Sequence, residues 1–193
     1  MATLAKAPVY FGPFVVTSQV FYQSSLSFAL VNLKPILPGH VLVCPNRVVP
    51  RVADLTPAET TDLFLTVRKV SRMIERVYGA TSLNIAIQDG VDAGQSVPHV
   101  HTHIIPRRKA DLDQYGGTDA IYSMLDGEEG DIGRVQRELL KTNSSNGSTS
   151  AGTGRRRAGF PAVDNEDRKP RSLEEMEEEA RMLAKEMAKE SDD

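Results

Sequence analysis

The run TSLNIAIQDGVDAGQSVPHVHTHIIPR occupies residues 81–107 and alternates apolar with polar side chains twice. Over 81–88, Leu83, Ile85 and Ile87 alternate with Asn84, Ala86 and Gln88, the two-residue period of a strand. Asp89-Gly90 is a turn signal. A second alternation follows over 97–105, bracketed by Pro98 and Pro106. Upstream, LSFALVN (26–32) and HVLVC (40–44) are further strands, separated by the Pro- and Gly-containing LKPILPG. Residues 9–22 add one or two more, broken at Gly12-Pro13.

One helix lies among these strands. Thr56-Pro57-Ala58-Glu59 reads as a capping box with proline at the first helical position. Leu63, Val67, Val70, Ile74 and Val77 then recur at spacings of four and three, and Gly79 suits a C-terminal cap. So few helices exclude a doubly wound parallel sheet. The expected class is α+β, an antiparallel β-sheet with a packed long helix.

Beyond Pro106, TDAIYSMLD (118–126) and DIGRVQRELLK (131–141) read as short helices. NSSNGSTSAGTG (143–154) has nothing to bury and reads as a flexible linker, and the three arginines after it as solvated charge. A second capping box, Ser172 to Glu175, opens a helix with Leu173, Met176, Ala180, Leu183 and Met187 on one face, expected to dock back on the body. The organisation expected is a domain over 1–126, an insertion over 127–171 and an acidic helix over 172–193.

With 193 residues, 40% of them hydrophobic, the chain suits one globular domain. The single cysteine, Cys44, cannot form an internal disulfide. Neither a signal-peptide run nor about 18 consecutive apolar residues occurs. A cytoplasmic location is expected, with the nucleus also open and no membrane partner. Net charge is −3, but residues 172–193 carry about −6, which leaves about +3 on the rest. That mild surplus suits a small anionic ligand and falls short of a nucleic-acid domain.

Three of the four histidines, His99, His101 and His103, alternate within five residues. On a strand they form a row at roughly 6.6–7 Å spacing, with Val100, Thr102 and Ile104 on the other side. Such a row is structural, or a metal site, or a device for nucleophilic catalysis on phosphorus. Metal-bound imidazoles want acidic partners, and the flanks GQSVP and IIPRR supply none. A neutral imidazole is a good nucleophile near pH 7, and its neighbours can orient it, donate to phosphate oxygens and protonate a leaving group. Gly94, Gln95, Ser96 and Val97 just upstream offer an anion cradle. His40, following Pro38-Gly39, is placed to join from a neighbouring strand. The catalytic reading accounts for most of these features together.

His99-Val100-His101-Thr102-His103-Ile104-Ile105 resembles the His-x-His-x-His-x-x signature of the histidine triad superfamily of nucleotide hydrolases and transferases, with Thr102 a small departure from an apolar residue. LSFALVNLKPILPGHVLVCP, DLTPAETTDLF, IQDGVDAGQSVPHVHTHIIPRR and DAIYSML further resemble its fragile histidine triad branch of dinucleoside polyphosphate hydrolases. The likeness runs over about 9–125 and resumes near SLEEMEEEA. Gln88-Asp89-Gly90 and the absence of tryptophan set the chain apart from the nucleoside phosphoramidase branch.

The resemblance implies hydrolysis of P1,P3-bis(5'-adenosyl) triphosphate to AMP and ADP through a nucleotidyl-histidine. In that pattern His101 is the nucleophile, His99 aids departure of the nucleoside diphosphate, and His103 orients His101 with His40 behind it. Asn32 and Gln88 resemble ribose and phosphate contacts, and Gly94, Gln95, Ser96 and Val97 the phosphate-binding loop. Cys44 reads as a core residue. A divalent ion, Mg²⁺ or Mn²⁺, would travel with the substrate phosphates without a dedicated protein site. A homodimer continuing the sheet across two subunits is implied as well. Two alternatives stay open at this point: a phosphoramidase or adenylyl transferase, and a nucleotide-loaded signalling protein with incidental turnover.

Overall fold

A computed structural model of the chain describes residues 7–126 and 170–191. The expected helix at 131–141, the linker at 143–154 and the arginines at 155–157 lie outside the described residues. Strands β3 (Val20–Gln23), β4 (Ser27–Val31), β5 (Val41–Pro45), β6 (Ser82–Ile87) and β7 (Thr102–Arg107) form one sheet in the order β3-β4-β5-β7-β6. Every neighbouring pair is antiparallel. Two-residue strands β1 (Tyr10–Phe11) and β2 (Phe14–Val15) make a small hairpin, turned at Gly12, whose φ of 55° suits a residue without Cβ.

Helix α1 (Pro57–Tyr78) is built as its sequence implies. The Thr56 hydroxyl accepts the Glu59 N–H, the Glu59 carboxylate reaches back to Thr56, and Gly79 closes the helix in the left-handed conformation at φ 58°. Arg47 adds a bidentate grip on Glu59, which holds that carboxyl down at about 2. Leu63, Val67, Val70 and Ile74 are buried and face the sheet, and Val77 is partly buried against the same core.

Register sorts the sheet into two faces. Val41 opposes Ile104, and Val43 opposes Thr102, on the face under α1; Leu42 opposes His103 on the other. Ala86 also opposes His103, so β6 brings its even-numbered residues to the histidine face. Ile105, Leu112, Ile121, Met124 and Leu125 cover part of that face as a second apolar cluster, with the short helix α2 (Ala120–Asp126) supplying the last three.

Helix α3 (Leu173–Met187) has its capping box at Ser172 and Glu175 and packs on β3, β4 and α1. Met176, Ala180, Leu183 and Met187 join the main core, at about 1.5–3 kcal/mol for each large side chain buried. Leu173 leaves the expected stripe and is 49% exposed, because the packing surface begins one turn later, at Met176.

The expected strand at 97–105 is displaced. Pairing begins only at Thr102 and runs on through Pro106, which opposes Leu83. Arg107 accepts the Thr81 N–H on the β6 side, so the Pro106 nitrogen points the opposite way, where β5 has already ended at Val41. A missing N–H costs nothing there.

Candidate active site

Of the three alternating histidines only His103 stands in the ladder. Ahead of it the chain leaves β5: Val100 N–H donates to Val49 O at 2.7 Å, and His99 N–H to Val97 O at 2.7 Å. Pro45 has no N–H with which to extend the ladder, and its carbonyl is taken by a side chain, His99 Nε2, at 2.9 Å. His99 and His101 are therefore held by local main-chain contacts rather than by strand pairing.

The hydrogen-bond network assigns every ring proton. Gly12 N–H donates to His99 Nδ1 at 3.0 Å, so His99 carries its proton on Nε2 and donates it to Pro45 O. His101 Nδ1 lies 2.7 Å from His99 O and must be its donor, which leaves the Nε2 lone pair free. Ile36 N–H donates to His40 Nδ1 at 3.1 Å; His40 Nε2–H then donates to His103 Nδ1 at 2.9 Å, and the His103 proton sits on Nε2. Among the described residues neither His101 Nε2 nor His103 Nε2 finds a hydrogen-bond partner, although both are buried. A lone pair and an N–H thus stand on adjacent rings whose centroids are 5.0 Å apart.

All four histidines are buried, at most 2% exposed. Burial pushes the His101 ring below its ordinary 6.5, and His103 well below, with the neighbouring imidazoles adding to the latter. His99 falls to about 4, again mainly by burial. The rings of this row are neutral at pH 7, as a nucleophile requires.

Asn32 is brought to this cluster. Its Oδ1 accepts the Lys34 N–H at 3.0 Å, and its Nδ2 lies 3.1 Å and 3.4 Å from the two His40 nitrogens, an amide laid across the ring. Gln88 lies one residue past β6, next to the last pair of its register, Ile87 against Thr102. Its amide donates to Leu125 O at 3.0 Å, while Oε1 is buried with no partner among the described residues.

The 94–97 loop is braced more than its composition implies. Gln95 Nε2 donates to Pro50 O at 2.8 Å, and Val97 is 1% exposed, in the core beneath the β1–β2 hairpin. Gly94 turns the chain at φ 86°, and Ser96 is half-buried. Asp89 fixes the loop's start by accepting Val52 N–H at 2.8 Å and pairing with Arg51 at 3.2 Å. Cys44 is fully buried and its thiol is pushed up by that burial, as expected of a core residue. Among the described residues, no group of three or more His, Cys, Asp or Glu is arranged to hold a metal ion.

Several contributors carry no local signal. Phe11 packs against His99 and edge-on against His101, with centroids at 5.7 and 5.2 Å. Gly12 can carry no side chain, since a Cβ there would come within 2.6 Å of Val97. Arg171, from the other end of the chain, donates through Nε and Nη2 to the carbonyl of Asn32. Each is recognisable only once distant segments have met.

Residues 14–110 match the family model of the HIT domain, half of the chain, with the triad inside the match. This chain belongs to the HIT-domain family. Over 175 residues it is 55% identical to a bis(5'-nucleosyl)-tetraphosphatase [asymmetrical] of Schizosaccharomyces pombe, covering 91% of this chain and 92% of that protein. Over 120 residues it is 52% identical to a bis(5'-adenosyl)-triphosphatase of Dictyostelium discoideum, covering 62% and 78%. Among solved structures, the C. elegans NitFhit protein superposes with a TM-score of 0.63 at 34% identity, over 95% of this chain and 31% of that longer one. The antiparallel sheet with its packed helix is thus the fold of a HIT domain, and the His99–His103 segment lies within it.

Proposed function

We propose that this HIT-domain protein hydrolyses dinucleoside polyphosphates, cleaving P1,P3-bis(5'-adenosyl) triphosphate to AMP and ADP through a nucleotidyl-histidine intermediate. One observation carries the reading: His101 is buried, neutral, and has its Nε2 lone pair free because its Nδ1–H is given to His99 O. The activities named for both relatives support it.

In the first step the His101 lone pair attacks the α-phosphorus and the bond to the bridging oxygen breaks, releasing ADP. His103 Nε2–H, set by the relay from Ile36 through His40, is the donor facing the phosphoryl oxygens. Water then attacks the adenylyl-histidine, the P–N bond breaks, AMP leaves and His101 is regenerated. His99 aids departure of the diphosphate once Gly12 N–H gives up its Nδ1. Asn32, Gln88 and the 94–97 backbone hold ribose and phosphates, with the unpartnered Gln88 Oε1 as one acceptor. A divalent ion, Mg²⁺ or Mn²⁺, is carried by the substrate's own phosphates. The catalysis is positioning plus charge stabilisation, which a rigid, preset imidazole row supplies.

The functional unit is a homodimer whose sheet continues through β6. That strand ends the sheet, and Ile85 on it is 49% exposed. Ile85→Lys is expected to halve the mass seen by light scattering.

The decisive experiment is product chromatography from diadenosine triphosphate and tetraphosphate with Mg²⁺, for the wild type and His101→Ala. AMP released together with ADP from the triphosphate, a trapped nucleotidyl adduct, and loss of both in the variant are expected. No hydrolysis by the wild type, with an adenylyl-amine cleaved instead, would move the protein to phosphoramidase chemistry.

A further inference from the structure

The loop 32–40 carries two residues of the site, Asn32 at one end and His40 at the other. Both ends are held by a single side-chain cluster that takes no part in the chemistry proposed above. At the first end, the Arg171 guanidinium donates through Nε (3.1 Å) and Nη2 to the Asn32 carbonyl, and the Arg171 N–H donates to Leu33 O at 3.0 Å. The third guanidinium nitrogen is paired with Glu179 on α3. Glu179 also accepts the Tyr78 hydroxyl at 2.7 Å, from the last residue of α1. At the second end, the Tyr78 ring lies so close to Gly39 that a Cβ there would come within 2.6 to 2.8 Å of three ring carbons. Burial and the adjacent carboxylate keep the Tyr78 phenol protonated, so it remains the donor.

We propose that Arg171, Glu179 and Tyr78 form a clamp that positions the 32–40 loop, and through it the His40–His103 relay, for catalysis. None of the three touches a reacting atom; they are positioning residues. The proton on His103 Nε2 exists only because His40 Nε2–H points at His103 Nδ1, which in turn requires Ile36 N–H to reach His40 Nδ1. Ile36, His40 and Asn32 all ride on the clamped loop. A main-chain carbonyl and a glycine are gripped, so the clamp acts on the loop's backbone rather than on its side chains. The grip on the Asn32 carbonyl comes from Arg171, 139 positions away and itself held by Glu179 on α3, so an intact C-terminal helix becomes a condition for an ordered site. Arg suits the task better than Lys, because a planar fork can serve a carbonyl and a carboxylate at once.

The test compares full-length wild type, Arg171→Ala, Arg171→Lys, Glu179→Gln and Tyr78→Phe. Leu63→Ala, a core truncation at the far end of α1, is the matched control for lost stability. Two readouts are taken: steady-state kcat and KM on diadenosine triphosphate, and long-range ¹H–¹⁵N spectra reporting the ring tautomers of His40 and His103. For Arg171→Ala, kcat is expected to fall on the order of 10- to 100-fold with KM changing less, since a shift of about 1 Å at the reacting groups suffices. His103 is expected to lose its single Nε2–H tautomer, and Arg171→Lys to recover part of both readouts. Wild-type kcat and unmixed tautomers in a folded Arg171→Ala would overturn the clamp, as would the same losses in Leu63→Ala. If Arg171→Ala does not fold, the milder Glu179→Gln and Tyr78→Phe carry the same two expectations. The kinetic arm rests on the hydrolase reading above, whereas the tautomer arm does not. An inactive wild type therefore sinks that reading and leaves the spectra to decide the clamp.

Discussion

Acidification between pH 6.5 and 5 should weaken this protein through its buried histidines. An exposed imidazole in the unfolded chain protonates near 6.5, whereas His99 in the fold protonates at about 4 because burial opposes its charge. The unfolded state then binds more protons over this window, so stability is complete above pH 6.5 and falls as pH drops. At 1.36 kcal/mol per pH unit, His99 alone removes about 2 kcal/mol between pH 6.5 and 5. His101 and His103 are shifted the same way and add to the loss. The paired carboxylates do not interfere: Glu59 is held at about 2 and its stabilisation is lost only below its ordinary 4.5. Urea unfolding at pH 7.5, 6.5, 5.5 and 5.0 reads the effect directly. With m of about 2 kcal/mol/M, the midpoint should drop by about 1 M or more at constant m. A midpoint unchanged across the window would refute the reasoning, as would ring signals of His99 titrating near 6.5.

Other expectations are simpler. Leu183→Ala removes a fully buried side chain that ties α3 to the core and should cost about 2–5 kcal/mol by urea unfolding. Replacing Gln88 by Leu removes the buried oxygen at the end of β6 that has no partner among the described residues; the fold should persist, and kcat/KM on diadenosine triphosphate should fall at least about tenfold. Deleting residues 143–154 should leave hydrolysis intact, and a large loss of rate would show that this segment reaches the site.

The antiparallel sheet was legible because its signals are local. Period-two alternation in 81–88 and the capping box at Thr56 each depend on residues within a few positions, and both elements stand in the structure, whereas Asp89-Gly90 opens a long loop to β7 rather than a tight turn. The same locality explains the errors. Alternation over 97–105 looks like one strand, but pairing is settled by the partner, and β5 offers His99 a carbonyl at Pro45 instead of a ladder. Leu173 fits the helical stripe, yet only the position of the sheet determines where that stripe begins to be covered.

Sequence alone determined the imidazole row, the helix and its caps, and the family to which they point, since spacing and residue type need no knowledge of distant neighbours. Although His101 takes its tautomer from His99 O two residues away, tertiary structure alone decided which nitrogen of His99 and of His103 bears the proton. That choice depends on Gly12, Ile36, Pro45 and His40, main-chain and side-chain groups brought in from up to 87 residues away. It decided too that Arg171 closes on Asn32, because a hydrogen bond across 139 residues leaves no trace in either local pattern.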